Sequence, residues 1–252
     1  MNRIRFVVLV LALFGSRCFA IDFMGPPATE LKSGQWKTGF IYSFSEQDIE
    51  VSGLGIDATL DDVEVSRYYV GAAVGIWDGW ELSGRIGASK VEADIEDVEF
   101  DGGTDFAWSW GTKITFASDE KVDWGALFQM SSLRGDDSFT IDLSDFGLGT
   151  GSADVELSDA YEMLIAVGPT FKMESWKLYG GPFLYLVKGD LEVKGTVAGE
   201  SGKATFDLEE DTMFGAYIGT QIDIAQNTCL NVEYAMTVGG DWGIGAGIGW
   251  RF

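Results

Sequence analysis

The residues best placed to do chemistry are eleven charged side chains that recur at alternate positions of otherwise apolar segments. Six are basic and five are acidic: Lys37, Arg67, Glu81, Arg85, Lys113, Asp123, Glu162, Lys177, Asp223, Glu233 and Arg251. Removing a charge from water costs several kcal/mol unless the charge is paired. Because the two signs are nearly balanced, the set predicts either a paired network that fills an enclosed space or a selectivity filter for a small solute or ion. We favour filling.

Two ion pairs are expected within this set. Lys177 and Asp223 lie near the ends of their segments, and so do Lys113 and Asp123. If the segments are aligned at those ends, the members of each pair stand at comparable heights. We therefore predict that Lys177 pairs with Asp223 and that Lys113 pairs with Asp123.

Catalysis is not expected. The chain has no histidine, which excludes a Ser-His-Asp triad and general base catalysis by an imidazole. A mechanism that uses only carboxylates would have to rely on residues such as Asp159 and Glu162, but solvated carboxylates are far more common than catalytic ones. We predict no enzyme, no catalytic residue, no cofactor and no metal centre.

The charged positions are set by a period of two that recurs over about ten residues, as in β-strands. The last segment shows it best: Trp242, Ile244, Ala246, Ile248, Trp250 and Phe252 share one parity, while four glycines and Arg251 share the other. Nine earlier segments repeat the pattern, and their apolar parities carry no charge. They span residues 36–44, 68–76, 80–88, 106–116, 122–130, 161–171, 176–186, 214–224 and 230–236.

Two all-β architectures show such alternation. A soluble sandwich or lipocalin-like barrel turns its apolar face inward, whereas a membrane barrel turns it outward to lipid. Large aromatic residues decide between them because they cluster at strand ends beside short connections, as in an interfacial girdle. These residues are Trp36, Trp77, Trp80, Phe116, Trp124, Phe171, Trp176, Trp250 and Phe252. The sequence predicts an antiparallel up-and-down transmembrane β-barrel.

Short and long connections alternate along the chain. Residues 77–80, 118–121, 172–175 and 225–228 are brief, and Asp78-Gly79 is a dipeptide that tight hairpins favour. Residues 47–62, 93–105, 134–159 and 188–211 are long and together contain 25 acids and four bases. If both termini lie on the periplasmic side of the membrane, the number of strands is even. We predict ten strands, with twelve or eight as alternatives, because parts of the long connections also alternate and are interpreted as strand extensions.

The N-terminus has the features of a secretory signal peptide over residues 1–20, with Arg3 and Arg5 before an apolar run and Ala20 at a small-residue cleavage site. Lipidation at Cys18 is the weaker alternative. Cleavage leaves 14 bases against 40 acids, a formal charge of -26, which argues against nucleic-acid binding. Cys229 would then be the single cysteine. We divide the rest into an N-terminal segment of residues 21–34, either periplasmic or inside the lumen, and a barrel of residues 35–252.

The C-terminal residues 245–252 resemble the terminal strand of bacterial outer-membrane barrels, which ends in an aromatic residue with apolar residues at alternate positions. In that superfamily the strand is the signal recognised by the barrel-assembly machinery, and Trp250 and Phe252 match those positions. The chain is similar to small barrels of the opacity and OmpA-like type, most of which have eight strands. The resemblance implies export through the periplasm to the outer membrane and contact with its lipid and lipopolysaccharide.

Function is expected to be non-enzymatic: a structural role or narrow passive transport of small solutes or ions. The alternative is adhesion or surface recognition through the acidic loops, which could also recruit divalent cations, although no EF-hand pattern occurs. The glycine strip of the last strand (Gly243, Gly245, Gly247 and Gly249) leaves three interpretations open. The strip forms a groove for solute, or a space that the side chains of Tyr179, Phe183 and Tyr185 fill, or a space that the N-terminal segment occupies when it enters the lumen.

Overall fold

A computed structural model of the protein describes residues 21–53, 56–95, 98–101, 103–142, 150–197, 200–209 and 213–252. The predicted signal peptide, residues 1–20, lies outside the described residues. No helix in the described ranges is long and apolar enough to cross a membrane.

Twelve antiparallel strands form one sheet, and ten of them close it into a barrel. The strands are β1 (Trp36–Gly53), β2 (Ile56–Trp77), β3 (Trp80–Ile95), β4 (Val98–Asp101), β5 (Asp105–Ser118), β6 (Val122–Asp142), β7 (Thr150–Lys172), β8 (Trp176–Val197), β9 (Glu200–Glu209), β10 (Met213–Ala225), β11 (Thr228–Thr237) and β12 (Trp242–Arg251). β4 pairs with the far end of β3 and β9 with the far end of β8, while β10 pairs with β8 to complete the circle. The predicted ten-stranded barrel is confirmed, so the twelve- and eight-stranded alternatives are wrong.

The two faces of the wall are assigned as the sequence predicts. Apolar side chains of one parity are exposed, for example Phe40 at 57%, Ile86 at 61% and Ile218 at 55%, whereas Arg67, Glu81 and Glu162 are 1–3% exposed. An exterior of isoleucine, valine and aromatic rings around an interior of ionised groups is stable only when the surroundings are hydrocarbon. The chain is therefore built as an outer-membrane β-barrel.

Aromatic rings form a belt at the end of the barrel where the turns are short, called here the short-turn end. Trp36 stacks on Phe252 with ring centroids 4.3 Å apart, and Trp77 lies 4.7 Å from Trp80. A second group, which the sequence analysis did not single out, lies at the opposite, long-loop end, where Tyr42 packs on Tyr68. Two belts are expected of a barrel that meets headgroups on both sides of a bilayer.

The short turns follow their local sequence. Trp77 pairs with Trp80 across Asp78-Gly79, and Gly79 adopts φ +85°, a conformation that favours glycine. In the turn between β5 and β6 the Asp119 carboxylate accepts hydrogen bonds from the backbone N–H groups of Lys121 and Val122. Those bonds favour the ionised form and lower the pKa of Asp119.

Most of the long connections are not loops but continuations of the strands beyond the barrel. The β6–β7 ladder runs without a break in pairing from Val122–Phe171 to Asp142–Thr150, apart from one bulge beside Gly135. The alternation seen in residues 138–143, 154–157, 191–197 and 204–208 belongs to these extensions, as predicted, except that residue 143 lies outside the described residues. Hairpin pairing satisfies backbone N–H and C=O groups that a loop would leave to solvent.

The seam between the first and last strands closes through residues at both chain ends of the barrel. Trp36 and Phe252 exchange two backbone hydrogen bonds, and their rings stack. We expect Phe252→Ala to lower the unfolding free energy of the refolded barrel by about 0.5–1.5 kcal/mol, the value of an aromatic pair beyond area burial. Urea unfolding in lipid vesicles measures this. Val238→Ala, at an exposed position outside the strands, is the matched control and should change nothing.

Candidate functional site

Residues 21–31 of the N-terminal segment lie inside the lumen, and residues 32–34 are exposed near the short-turn end. Its buried residues include Ile21, Asp22, Phe23, Met24, Ala28 and Leu31, each at most 6% exposed. Ile21 lies beside Gly243 of β12 at the long-loop end, and Gly34 donates a backbone hydrogen bond to Gly75 near the short-turn end. The segment therefore runs along the barrel from one end to the other.

Glycines in the wall make room for this segment. A Cβ on Gly245 would lie 2.5 Å from the Phe23 ring, and one on Gly125 would lie 2.5 Å from the Cα of Ala28 and the carbonyl oxygen of Pro27. Real Cβ atoms do not approach so closely. Of the three interpretations of the glycine strip, entry of the N-terminal segment holds for Gly243 and Gly245, which face Ile21 and Phe23. Gly247 and Gly249 face Ile41 and Lys37 of β1, while Tyr179 and Phe183 pack over Gly219 and Gly215 of β10.

Asp22 is held by side chains from three different strands. Its Oδ2 accepts hydrogen bonds from Gln129 (2.8 Å) and Ser131 (3.0 Å) of β6 and lies 3.5 Å from Nη1 of Arg85 of β3. Its Oδ1 accepts from Ser43 of β1 at 3.3 Å. Both carboxylate oxygens are therefore satisfied, as burial of a charge requires. Ser43, Arg85, Gln129 and Ser131 are called the outer carboxylate site below.

Glu30 occupies a second basic site closer to the short-turn end. Nζ of Lys37 donates to Oε2 of Glu30 at 2.6 Å, and Nζ of Lys177 lies 3.7 Å from Oε1. The Glu30 side chain is 3% exposed. Lys113 belongs to the same part of the lumen, because it lines a common cavity with Glu30 and Lys37. Lys37, Lys113 and Lys177 are called the inner carboxylate site.

Two acids of the wall bind backbone N–H groups of the same segment. Glu233 accepts from Met24 (2.9 Å) and Gly25 (2.8 Å), one bond to each oxygen, and Glu81 accepts from Glu30 at 3.0 Å. Thr115 bonds both the amide and the hydroxyl of Thr29. The wall thus supplies acceptors for the backbone of the segment as well as cations for its carboxylates.

Five more of the predicted lumen charges pair within the wall. Arg67 and Glu162 form a buried pair at 2.5 Å, and Arg251 pairs with Asp223 at the short-turn rim. Asp123 also lies at that rim, where it pairs with Lys172 at 2.9 Å. The eleven predicted residues therefore fall into three groups: those at the short-turn rim, the buried pair Arg67–Glu162 in the wall, and those that surround the N-terminal segment.

Both predicted pairs are wrong. The residue opposite Lys177 is Gln221, so Asp223 lies nearer the rim, where it meets Arg251, and Lys177 turns to Glu30 instead. The residue opposite Lys113 is Leu127, four positions and about 13 Å along the strand from Asp123. The sequence analysis had no reason to consider Glu30, which lies in a segment without periodicity.

Neutral polar and aromatic side chains complete the filling of the lumen. Tyr179, Phe183, Tyr185 and Tyr217 form a buried cluster with Ile21 and Met24 of the N-terminal segment. Space remains beside the segment in a cavity of about 80 Å³, and its lining includes Glu30, Lys37, Glu81, Arg85 and Lys113. That volume accommodates several water molecules.

No group of three or more Asp, Glu, His or Cys side chains in the described part of the chain is arranged to hold a metal ion. Cys229 is a buried free thiol beside Gly249. Glu162 is buried and pairs with Arg67, and the side chain of Asp159 lies outside those the structure describes. The candidate site is therefore the lumen itself, with its N-terminal segment.

Glu233 provides a measure of how tightly the segment is held. Glu233→Gln replaces one acceptor oxygen by an NH₂ group, which leaves the N–H of Met24 or Gly25 without a partner. We expect a loss of about 1–3 kcal/mol, measured as a lower midpoint of thermal unfolding in detergent. Glu174→Gln, in an exposed turn, is the control. An unchanged midpoint would mean that the two hydrogen bonds contribute nothing.

Comparisons with known proteins extend to architecture only. No protein-family model matches the chain, and no curated protein sequence matches it. Among solved structures, the translocator domain of the autotransporter NalP from Neisseria meningitidis aligns with 14% identity and a TM-score of 0.49, covering 87% of this chain and 89% of that one. The outer membrane protease OmpT from Escherichia coli aligns with 8% identity and a TM-score of 0.46, covering 92% of this chain and 99% of that one. The toluene transporter TodX from Pseudomonas putida aligns with 9% identity and a TM-score of 0.43, covering 92% of this chain and 94% of that one.

Proposed function

We propose that this outer-membrane barrel is a narrow passive pore for small solutes or ions, held closed by its N-terminal segment. The observation that carries the proposal is the nature of the contacts between segment and wall. Ion pairs and hydrogen bonds through Asp22, Glu30, Glu81 and Glu233 hold the segment. Such contacts can be exchanged for water or solute at moderate cost, so a segment held by them can be displaced from the lumen.

The cavity beside the segment supports the same conclusion. Its lining includes charges of both signs, and it adjoins the inner carboxylate site. A small displacement of the segment would join this cavity to the rest of the lumen.

Reaching the outer membrane requires export through the periplasm, and we propose that the terminal strand with Trp250 and Phe252 is recognised during assembly there.

Planar-bilayer conductance of the purified protein tests the pore. The wild type should be silent or show brief, small openings. A variant in which residues 21–34 are replaced by a flexible Gly/Ser segment of equal length should show steady openings. Assembly of both proteins is verified by their heat-dependent mobility on gels. If the assembled variant remains silent, the protein is not a pore, and the barrel has a structural role.

One observation favours a second function. The β6–β7 hairpin extends from Gly135 and Leu157 to Asp142 and Thr150, and the β8–β9 hairpin extends beyond Lys188. Paired, ordered hairpins of this length present a fixed surface to an external partner, whether a host ligand or divalent cations and lipopolysaccharide. Silence in bilayers, combined with ligand binding that disappears when residues 189–209 are shortened, would favour surface recognition over transport.

A further inference from the structure

Among the predicted lumen charges, those that do not pair within the wall are balanced by the N-terminal segment. After the pairs Arg67–Glu162, Arg251–Asp223 and Asp123–Lys172 are set aside, six of the eleven predicted residues remain. They are four bases (Lys37, Arg85, Lys113 and Lys177) and two acids (Glu81 and Glu233). The excess of two positive charges equals the number of carboxylates, Asp22 and Glu30, that the segment places among them.

We infer that the wall contains two separate binding sites for carboxylates and that Asp22 and Glu30 occupy them in place of small organic carboxylates. The inference rests on the proposed function, since it names the class of solute that this pore admits. The ligand class is a small organic acid that would bind at one site at a time, because Ser43 of the outer site and Lys37 of the inner site are six positions apart on β1, about 20 Å along the strand.

The outer carboxylate site has the donor set that such a ligand needs. Four side chains from three strands converge on the Asp22 carboxylate, and they comprise one guanidinium, one amide and two hydroxyls. Arg85 is further tied to the segment, because Nη1 donates to the carbonyl oxygen of Phe23 at 2.7 Å. Charge-assisted hydrogen bonds of this kind are about twice as strong as neutral ones, and all these donors belong to the wall rather than to the segment.

The inner carboxylate site consists of lysines alone, but it also binds a negatively charged group. Lys37 and Lys177 approach opposite oxygens of Glu30 from β1 and β8. With the segment in place their side chains are 18% and 22% exposed. A departing segment removes the counter-charge of these ammonium groups, which an entering carboxylate can replace.

The wall acids do not oppose this assignment. Glu81 and Glu233 face backbone N–H groups of the segment rather than its carboxylates. Glu81 lines the same cavity as Lys113 and Arg85. When the segment moves away, the four bases outnumber the two wall acids by two, and carboxylates that enter the two sites match this excess in charge.

The test uses the full chain with Asp22→Asn and Glu30→Gln combined. These changes remove the two carboxylates, so the segment loses its ion pairs with both sites and can be displaced from them by an added carboxylate. Glu120→Gln with Glu174→Gln is the matched control, since it makes the same change in net charge at exposed turn positions away from the lumen. Assembly is checked for both proteins by heat-dependent gel mobility and circular dichroism.

Two readouts are made with succinate as the probe. Titration calorimetry in detergent should show succinate binding by the lumen variant at least tenfold tighter than by the wild type or the control. Binding should weaken at least tenfold when Arg85→Gln is added. In planar bilayers the lumen variant should pass chloride several times faster than potassium, and succinate should block that current.

The outcomes separate the two ideas. If the lumen variant is assembled and silent in bilayers but binds succinate, the carboxylate sites stand and the pore fails. If it conducts without preference for chloride and does not bind succinate, the pore stands and the carboxylate sites are overturned. A control variant that binds succinate as well as the lumen variant also overturns them, because binding would then follow net charge alone.

Discussion

Gly125→Leu should open the barrel by displacing the N-terminal segment. A Cβ at this position would lie 2.5 Å from the backbone of Pro27 and Ala28, and a leucine adds three more carbon atoms in the same direction. The β6 backbone itself accommodates leucine, since Gly125 has an ordinary strand conformation. The strain therefore falls on the contact between segment and wall.

Overpacking of this kind costs about 1–3 kcal/mol. If the segment bears that cost, the population with the segment displaced rises by roughly 5- to 150-fold. The mean conductance in planar bilayers should increase by the same factor. So should the rate at which a thiol reagent labels Thr29→Cys, measured in a Cys229→Ser background because Cys229 faces the lumen beside Lys37 and Gly249.

Gly84→Leu is the matched control. Gly84 lies on β3 at an outward position, and a Cβ there meets no atom within 4 Å. The added side chain contacts hydrocarbon and should leave conductance and labelling unchanged. If Gly125→Leu behaves like Gly84→Leu in both assays, the N-terminal segment does not close the lumen.

Arg67→Met should be the most damaging single change in the wall. Arg67 is 1% exposed and pairs with Glu162, which is 2% exposed. Removing one member of a buried ion pair leaves an uncompensated charge, which typically costs 3–5 kcal/mol. We expect a loss of about that size in the unfolding free energy, measured with urea in lipid vesicles.

A second change in the same chain should restore most of that stability. Arg67→Met combined with Glu162→Gln removes both charges, and replacing a whole buried pair is often neutral. Lys90→Met tests the exposed pair between Lys90 and Glu92, whose side chains are 32% and 44% exposed. There the loss should stay below about 1 kcal/mol. Equal losses at Arg67 and Lys90 would contradict the enclosed position of Arg67.

The period of two was sufficient to predict the barrel. Because strand side chains alternate strictly between faces, the parity of Phe40 or Ile86 fixed it as outward and the parity of Arg67 or Glu162 fixed it as inward. The even number of strands followed from the alternation of short and long connections. The extent of the strands was underestimated, since the long connections pair as hairpins well beyond the barrel.

Ion-pair partners were not predictable in the same way. Parity fixes the face of a residue but not its height relative to residues on other strands, which depends on register and stagger. Lys113 and Asp123 are ten positions apart in sequence and seemed level, yet the β5–β6 register separates them by four residues. Asp22 and Glu30 lie in a segment without periodicity, so the contacts of their carboxylates with the wall could not be predicted from the sequence.

The sequence by itself determined a closed antiparallel barrel with lipid outside and charges within, because each side chain's face follows from its position in a strand. Only the tertiary structure decided what occupies the interior. The N-terminal segment has no secondary structure of its own, and its place in the lumen arises from donors and acceptors on β1, β3, β5, β6, β8 and β11 that converge only when the sheet closes.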